Sequence, residues 1–384
     1  MPIPPPRRSG EDRLRIAIDL TGLQAGGGGI VTYAAGLLRG WREVAPHDEL
    51  TLFAGPGLPD RVRREAAPGS RWVEVPDQRP DLRVVMQQVA LPFVAARARA
   101  DAILAITPVL PLASNLPLVG VVHDLRYRSA PQEFSALKRT YRTLLYHVGY
   151  HRAERLAVVS DATLRDLRAA CPAGGAKAEV IRLGSDHVDG WGAGQPRGTH
   201  GLVFAHWANK RPDVAIRAWA SLKARHQGFA RPLHVIGASQ EARESLGRLS
   251  VDLGLADLVE VHGYLPELEF RSLFATAAVV LMPSTIEGFG LPVVEAMRLR
   301  VPVVASRDRA LVEVGGDAIL YGDPAVPESF ARSCERLLFG NEGKQLVDLA
   351  ARRSERLRWA ITAEGTRRLT GEAIATRGRG RGRD

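Results

Sequence analysis

The chain has 384 residues, 45% of them hydrophobic and 24% charged, which is a globular composition at a length of roughly two to three domains of about 150 residues. No stretch reaches about 18 consecutive apolar residues, so a membrane-spanning helix is excluded. The N-terminus MPIPPPRRSGEDR has no apolar stretch behind its charges, so a secretory signal is not expected. The balance of 52 Lys and Arg against 42 Asp and Glu, a net +10, points to an anionic partner: nucleotide phosphates, a lipid surface or nucleic acid. Part of the excess is local, because Arg377–Asp384 (RGRGRGRD) carries four Arg and one Asp. Cys171 and Cys334 are too few for a disulfide framework or a four-cysteine zinc site.

In chain order, Leu14–Leu20 (LRIAIDL) is a short β-branched apolar run, as a buried parallel strand requires. The glycine-rich loop Gly22–Gly29 follows, then an amphipathic helix over Ile30–Trp41, the opening of a βαβ unit. Strands are predicted at Leu50–Ala54, Ala102–Ile106, Leu118–His123 and Leu156–Ser160, with helices at Ala136–Glu154 and Ala162–Ala170. Gly184–Gly201 is rich in glycine and poor in aliphatics and reads as a linker. The alternation then restarts. Strands Leu202–Phe204, Leu233–Gly237, Val259–His262, Ala278–Met282 and Val301–Ala305 interleave with helices Pro212–Arg225, Glu241–Leu253, Leu268–Ala275 and Pro292–Leu299. The pattern predicts an α/β protein of two doubly wound, Rossmann-like domains.

Several chemistries are excluded by missing motifs. The glycines at 26–29 do not form G-x-G-x-x-G, and no G-x-x-x-x-G-K-[ST] or G-x-S-x-G occurs. No D-x-D pair is present to hold a nucleotide-bound divalent ion. His147 and His151 lie four apart on a predicted helix without the accompanying Glu of a zinc motif. No metal ligand set is therefore expected.

The informative stretch is Pro283–Leu299, PSTIEGFGLPVVEAMRL. A buried strand ends at Met282, the loop carries Glu287-Gly288-Phe289-Gly290, and Pro292 suits a first helical turn. Gly288 and Gly290 allow the backbone to approach a ligand and aim N–H groups at it, beside a helix N-terminus that favours anions. Glu295, read in that first turn, can accept two hydrogen bonds from a vicinal diol such as a ribose. The same acid could equally stabilise the helix dipole.

These residues resemble the family 4 glycosyltransferases of the GT-B fold. The E-x7-E signature stands intact from Glu287 to Glu295 inside EGFGLPVVEAM. The resemblance continues in order through IDLTG…GGGGIVTY, VVHDLRY, AVVSDATLRDL, IRLGSD, VPVVAS and LVEVGGDAILYGDP, covering about residues 14 to 375. It implies that Glu295 binds the nucleotide ribose, and that Glu287 with the backbone of Gly288, Phe289, Gly290 and Leu291 holds the donor sugar and its phosphate. Lys210, in ANKRP, matches the family's phosphate-binding lysine. Gly28 and Gly29 would pass against the diphosphate, and His123 would face the sugar. Asp124 could orient that imidazole or cap a turn. The family normally has an arginine just before the lysine and often another at the strand end. This chain has Asn209 and Ala205–Trp207 there, with Arg211 one step later as the candidate substitute.

The reaction implied is retaining, metal-independent transfer from a nucleotide-sugar co-substrate, with no cofactor. The sugar is mannose if the loop pattern is followed to mannosyl-type members, and the acceptor is a hydroxyl of a glycan or lipid-linked molecule, as in polysaccharide biosynthesis. The expected layout is a disordered 1–13, an acceptor-side domain over 14–185, a linker over 186–200 and a nucleotide-sugar domain over 201–358. A helix over 359–376 crosses back, and a disordered basic tail covers 377–384. The two domains face each other across a cleft. A cytoplasmic location is expected, with peripheral contact at the inner face of a membrane through the basic helix at 136–155. The alternatives are another nucleotide-sugar enzyme such as an epimerase, and a nucleic-acid module. Against the latter, the RG tail is short and lacks interleaved aromatics, so no nucleic-acid partner is expected.

Overall fold

The computed structural model describes residues 13–24, 28–75, 80–192, 194–195 and 198–381. The expected N-terminal segment before residue 13 and the glycines at 26 and 27 lie outside these.

Two all-parallel sheets are present. The first has seven strands: β1 (Arg15–Leu20), β2 (Glu49–Ala54), β3 (Arg71–Glu74), β4 (Ala102–Ala105), β5 (Leu118–Val122), β6 (Arg155–Val158) and β7 (Ala178–Val180), in the order β3-β2-β1-β4-β5-β6-β7. The second has six: β8 (Gly201–Phe204), β9 (Leu233–Ile236), β10 (Val259–Val261), β11 (Val279–Met282), β12 (Val303–Ser306) and β13 (Leu320–Gly322), in the order β10-β9-β8-β11-β12-β13. Both are doubly wound, with strand order reversing beside the first strand of each sheet, where open α/β sheets bind ligands. The central strands are apolar on both faces because helices cover both. Ile16, Ile18 and Leu20 pack on one side of β1 while Ala17 packs on the other.

Three strands without a predicted counterpart, β3, β7 and β13, are all sheet edges of three or four residues. The first two are only half-buried, so they carry no apolar run to read. The helix Pro80–Arg97 also has no predicted counterpart, because its internal Pro92 runs against a helical pattern.

The helix expected to cross back begins at Trp359 and runs to Arg381. Its Trp359 is fully buried against Gly36, where a Cβ would come within 2.0 Å of the indole. Arg367 grips the buried Asp48 at 2.7 and 3.0 Å, and Asp48 also accepts from Leu14 N and Trp41 Nε1 at 3.0 Å. The expected separate tail at 377–384 is corrected over its first five residues. Residues 377–381 continue this helix, because Arg377 pairs with Glu154 at 2.5 Å. The segment read as a linker is not loose throughout either. Asp186 and Val188 are buried, and Trp191 packs edge-on against Phe270 and Phe274.

Candidate functional site

The loop after β11 is shaped by glycine. Gly290 has φ 93°, in the left-handed region, and caps the helix Leu291–Arg298. Gly288 is packed so closely on the first domain that a Cβ would lie 2.0 Å from the His123 carbonyl oxygen. The Gly288 carbonyl accepts from Ser160 Oγ at 2.6 Å and Thr163 Oγ1 at 3.1 Å. Both come from the start of the helix Asp161–Ala170. Glu313 of the second domain meanwhile accepts from Asp161 N and Ala162 N at 3.1 and 3.2 Å, and Arg182 joins it at 2.9 Å. The C-terminal edges of the two sheets are thus latched face to face. Phe289 and Leu291 bury their side chains in the core, leaving only their backbone to meet a ligand.

Lys210 ends the turn after β8, and its Nζ lies 2.6 Å from Glu287 Oε1. The two side chains are only 8% and 11% exposed. Asn209 ties the two loops together: its Nδ2 donates to Ile286 O at 2.8 Å, and its carbonyl accepts from Thr285 N at 2.9 Å. The structure does not bring Arg211 to this pair. Arg211 sits at φ 48° and closes on Asp213 at 2.8–2.9 Å.

A guanidinium does arrive, from the other domain. Arg126 lies 3.5 Å from Asn209 Oδ1, 4.8 Å over the Trp207 ring and 2.8 Å from Glu133. His206 lies within the field of Lys210 and Arg126. Burial first, and those two cations second, push its imidazole down to about 3. It is therefore neutral near pH 7, beside two cations that are each paired with a carboxylate. Neither Arg126 nor His206 carries a sequence signal. Both stand out only once β5 and β8 face one another.

Glu295 is the fifth residue of its helix, which starts at Leu291. It is therefore corrected from the first turn to the second, out of reach of a dipole-capping role. It is buried, and its Oε1 lies 2.9 Å from His187 Nε2. Trp359 Nε1 lies 3.0 Å from His187 Nδ1. An indole only donates, so Nδ1 accepts, Nε2 carries the hydrogen, and Glu295 Oε1 accepts a hydrogen bond from it. The interdomain segment and the crossing helix thus aim this carboxylate. Arg61, from the first domain, also feels Glu295: burial lowers its guanidinium, while Glu267 and Glu295 oppose the shift.

On the first domain, Gly28 and Gly29 open the helix Gly28–Val44, and a Cβ on either would meet nothing within 4 Å. Asp19 at the end of β1 is fully buried. It accepts from Thr21 N and Oγ1, Gln87 Nε2 and Thr107 Oγ1 at 2.7–3.1 Å, bracing the loop's base. Burial pushes its carboxyl up against those four donors. His123 donates from Nε2 to Ile106 O at 3.0 Å, which leaves Nδ1 as an acceptor, and Tyr33 packs edge-on at 4.8 Å. Burial holds this imidazole below its ordinary value. Asp124 accepts from Arg126 N at 2.9 Å, so it caps the turn and does not orient the histidine.

Residues 27–188 match the family model described as Glycosyltransferase Family 4, and residues 199–339 match Glycosyl transferases group 1. The chain is similar to a D-inositol 3-phosphate glycosyltransferase of Acidothermus cellulolyticus, 31% identical over 176 residues, covering 44% of this chain and 39% of that one. It is also similar to an MMP alpha-(1->4)-mannosyltransferase of Mycolicibacterium hassiacum, 37% identical over 133 residues, 33% of this chain and 32% of that one. The alignments thus span well under half of these relatives. Among solved structures, Anabaena Alr3699/HepE in complex with UDP and glucose shares the fold at a TM-score of 0.70 and 18% identity, over 94% of this chain and 100% of that one. With one model on each sheet of a shared two-domain GT-B architecture, the chain belongs to the group 1 glycosyltransferases of family 4.

Proposed function

We propose that the protein moves mannose from GDP-mannose, with retention, to a hydroxyl of a glycan or lipid-linked acceptor. The observation that carries the reaction class is the largely buried Lys210, held by Glu287 beside the N-terminus of the Leu291–Arg298 helix. The ammonium and the helix N-terminus supply fixed positive charge where a diphosphate leaves, and such preorganised charge is usually the largest catalytic term. The acceptor oxygen attacks the anomeric carbon from the face the diphosphate leaves, and the diphosphate takes its proton. The relative named as a mannosyltransferase supports the sugar. Closure about residues 184–201, held by the Ser160–Gly288 and Glu313 contacts, excludes water. A donor-binding and hydrolysis screen across UDP-, GDP- and dTDP-sugars tests this reading. Turnover of GDP-mannose that needs an acceptor is the expected result. Sugar-nucleotide conversion with no acceptor would establish an epimerase instead.

With no D-x-D pair, transfer should survive EDTA. Complete loss on chelation, restored by Mn²⁺ or Mg²⁺, would overturn a metal-independent step.

No helix among the described residues is long and apolar enough to cross a membrane. We propose instead that the helix Ala136–Arg152 docks on the inner, cytoplasmic leaflet. Arg155 is corrected out of the basic cluster expected for it, since it opens β6 and pairs with Glu372 at 3.3 Å. The outward face is not purely positive either. Leu137 is 80% exposed and Leu144 68%, with Tyr141 and Val148 on the same stripe beside Lys138 and Arg139. An apolar stripe flanked by cations suits a membrane interface, and each cation adds about 1 kcal/mol near anionic lipid. In liposome sedimentation, reversing charge at Arg139 and Arg142 should abolish low-salt binding, and Leu144→Asp should weaken it at every salt. Removing residues 378–384 should change nothing. Failure of the wild type to sediment would sink the idea.

A further inference from the structure

Among the described residues β10 is an edge strand that pairs with β9, and their parallel register sets Glu260 opposite His234. His262 follows Glu260 by two residues and so shares its face. The side chains converge there. His234 Nδ1 lies 3.0 Å from His262 Nε2, His234 Nδ1 lies 3.5 Å from Glu260 Oε2, and His262 Nε2 lies 3.6 Å from the same oxygen. Two imidazole nitrogens and one carboxylate oxygen thus mark a triangle of nearly equal sides.

A tetrahedral zinc ion with ligands at about 2.0–2.1 Å holds those ligands about 3.3–3.4 Å from one another. The triangle has that size before any ion enters. We propose that His234, Glu260 and His262 form a zinc site, with water as the fourth ligand. Nitrogen donors select against Mg²⁺ and Ca²⁺, which take oxygen. His200 walls the site: its ring stands edge-on to His234 at 4.6 Å, and its own nitrogens are engaged by Thr199 Oγ1 and Leu273 O at 2.7 and 2.8 Å. It therefore positions His234 and does not compete as a ligand. Glu260 is exposed and His262 partly so, which gives the ion an entry path and room for the water. The ion would tie a three-residue edge strand to its neighbour. It lies at the far edge of the sheet from β12 and β13, apart from Lys210 and Glu287, so it is distinct from the transfer step.

The full chain, stripped with EDTA and freed of chelator, should bind one Zn²⁺ in titration calorimetry and should not bind Mg²⁺. Its Tm should rise with zinc concentration as mass action requires. Co²⁺ in place of zinc should give the visible absorption of a four-coordinate site. His262→Ala and the surface change Glu260→Gln should each remove or sharply weaken binding, while His151→Ala, on an exposed helix position, should leave it intact. No stoichiometric zinc in the wild type overturns the proposal, and so does zinc binding that persists in both His262→Ala and Glu260→Gln. Glu260→Gln changes an exposed side chain, so the test does not depend on a core variant folding.

Discussion

Lys210→Ala should lower kcat by about 10²–10³-fold, the usual cost of deleting one preorganised charge at a developing anion, while the donor KM moves far less. An interaction made mainly in the transition state behaves this way. The structure adds a complication that the experiment must separate. Lys210 is buried and pairs at 2.6 Å with Glu287, whose side chain is 11% exposed, and removing one member of a fully buried pair destabilises by about 3–5 kcal/mol because the other charge is stranded, so somewhat less is expected here. Lys210→Ala combined with Glu287→Gln removes that stranded charge. Stability should recover in the double variant, whereas kcat should not. Arg211→Ala should do little, since its guanidinium is spent on Asp213. Arg126→Ala should fall between the two, because Arg126 reaches the loop through Asn209. If Arg211→Ala is the worst of the set, the lysine assignment in ANKRP is out of register.

Glu295→Ala should raise the donor Kd tenfold or more. A hydrogen bond to a charged group contributes about 1.5–3 kcal/mol, and about 1.4 kcal/mol is a factor of ten. The loss should appear for the free nucleoside diphosphate as well as for the sugar nucleotide, since the ribose is common to both. His187→Ala should reproduce part of the effect without touching the ligand, because His187 carries the proton that orients the carboxylate. Trp359→Phe, which keeps the ring but loses the indole N–H, should show a smaller loss of the same kind. Unchanged nucleotide affinity in a normally folded Glu295→Ala protein would remove this residue from the ribose site.

By itself, the sequence determined the two-sheet α/β architecture and the turn at EGFGLP. These are legible because their causes are local. A strand buried on both faces must be a short apolar run such as VVLM at β11. A left-handed residue at a helix start favours glycine, as at Gly290. Proline within the first turn fits wherever its missing N–H costs nothing.

Only the tertiary structure decided how the candidate site residues are held. Glu295 meets His187 across 108 positions of sequence, and Arg126 meets Asn209 across 83. His234 meets His262 across 28, through the pairing of β9 with β10. Each contact depends on strand order and on which sheet edge faces which. Neither leaves a period or a fixed spacing in the chain, because side chains from separate elements converge in space without any constraint on the residues between them. The same reason hid the edge strands β3 and β7. Their stability comes from a neighbour's backbone, supplied by the fold, and not from an apolar run of their own.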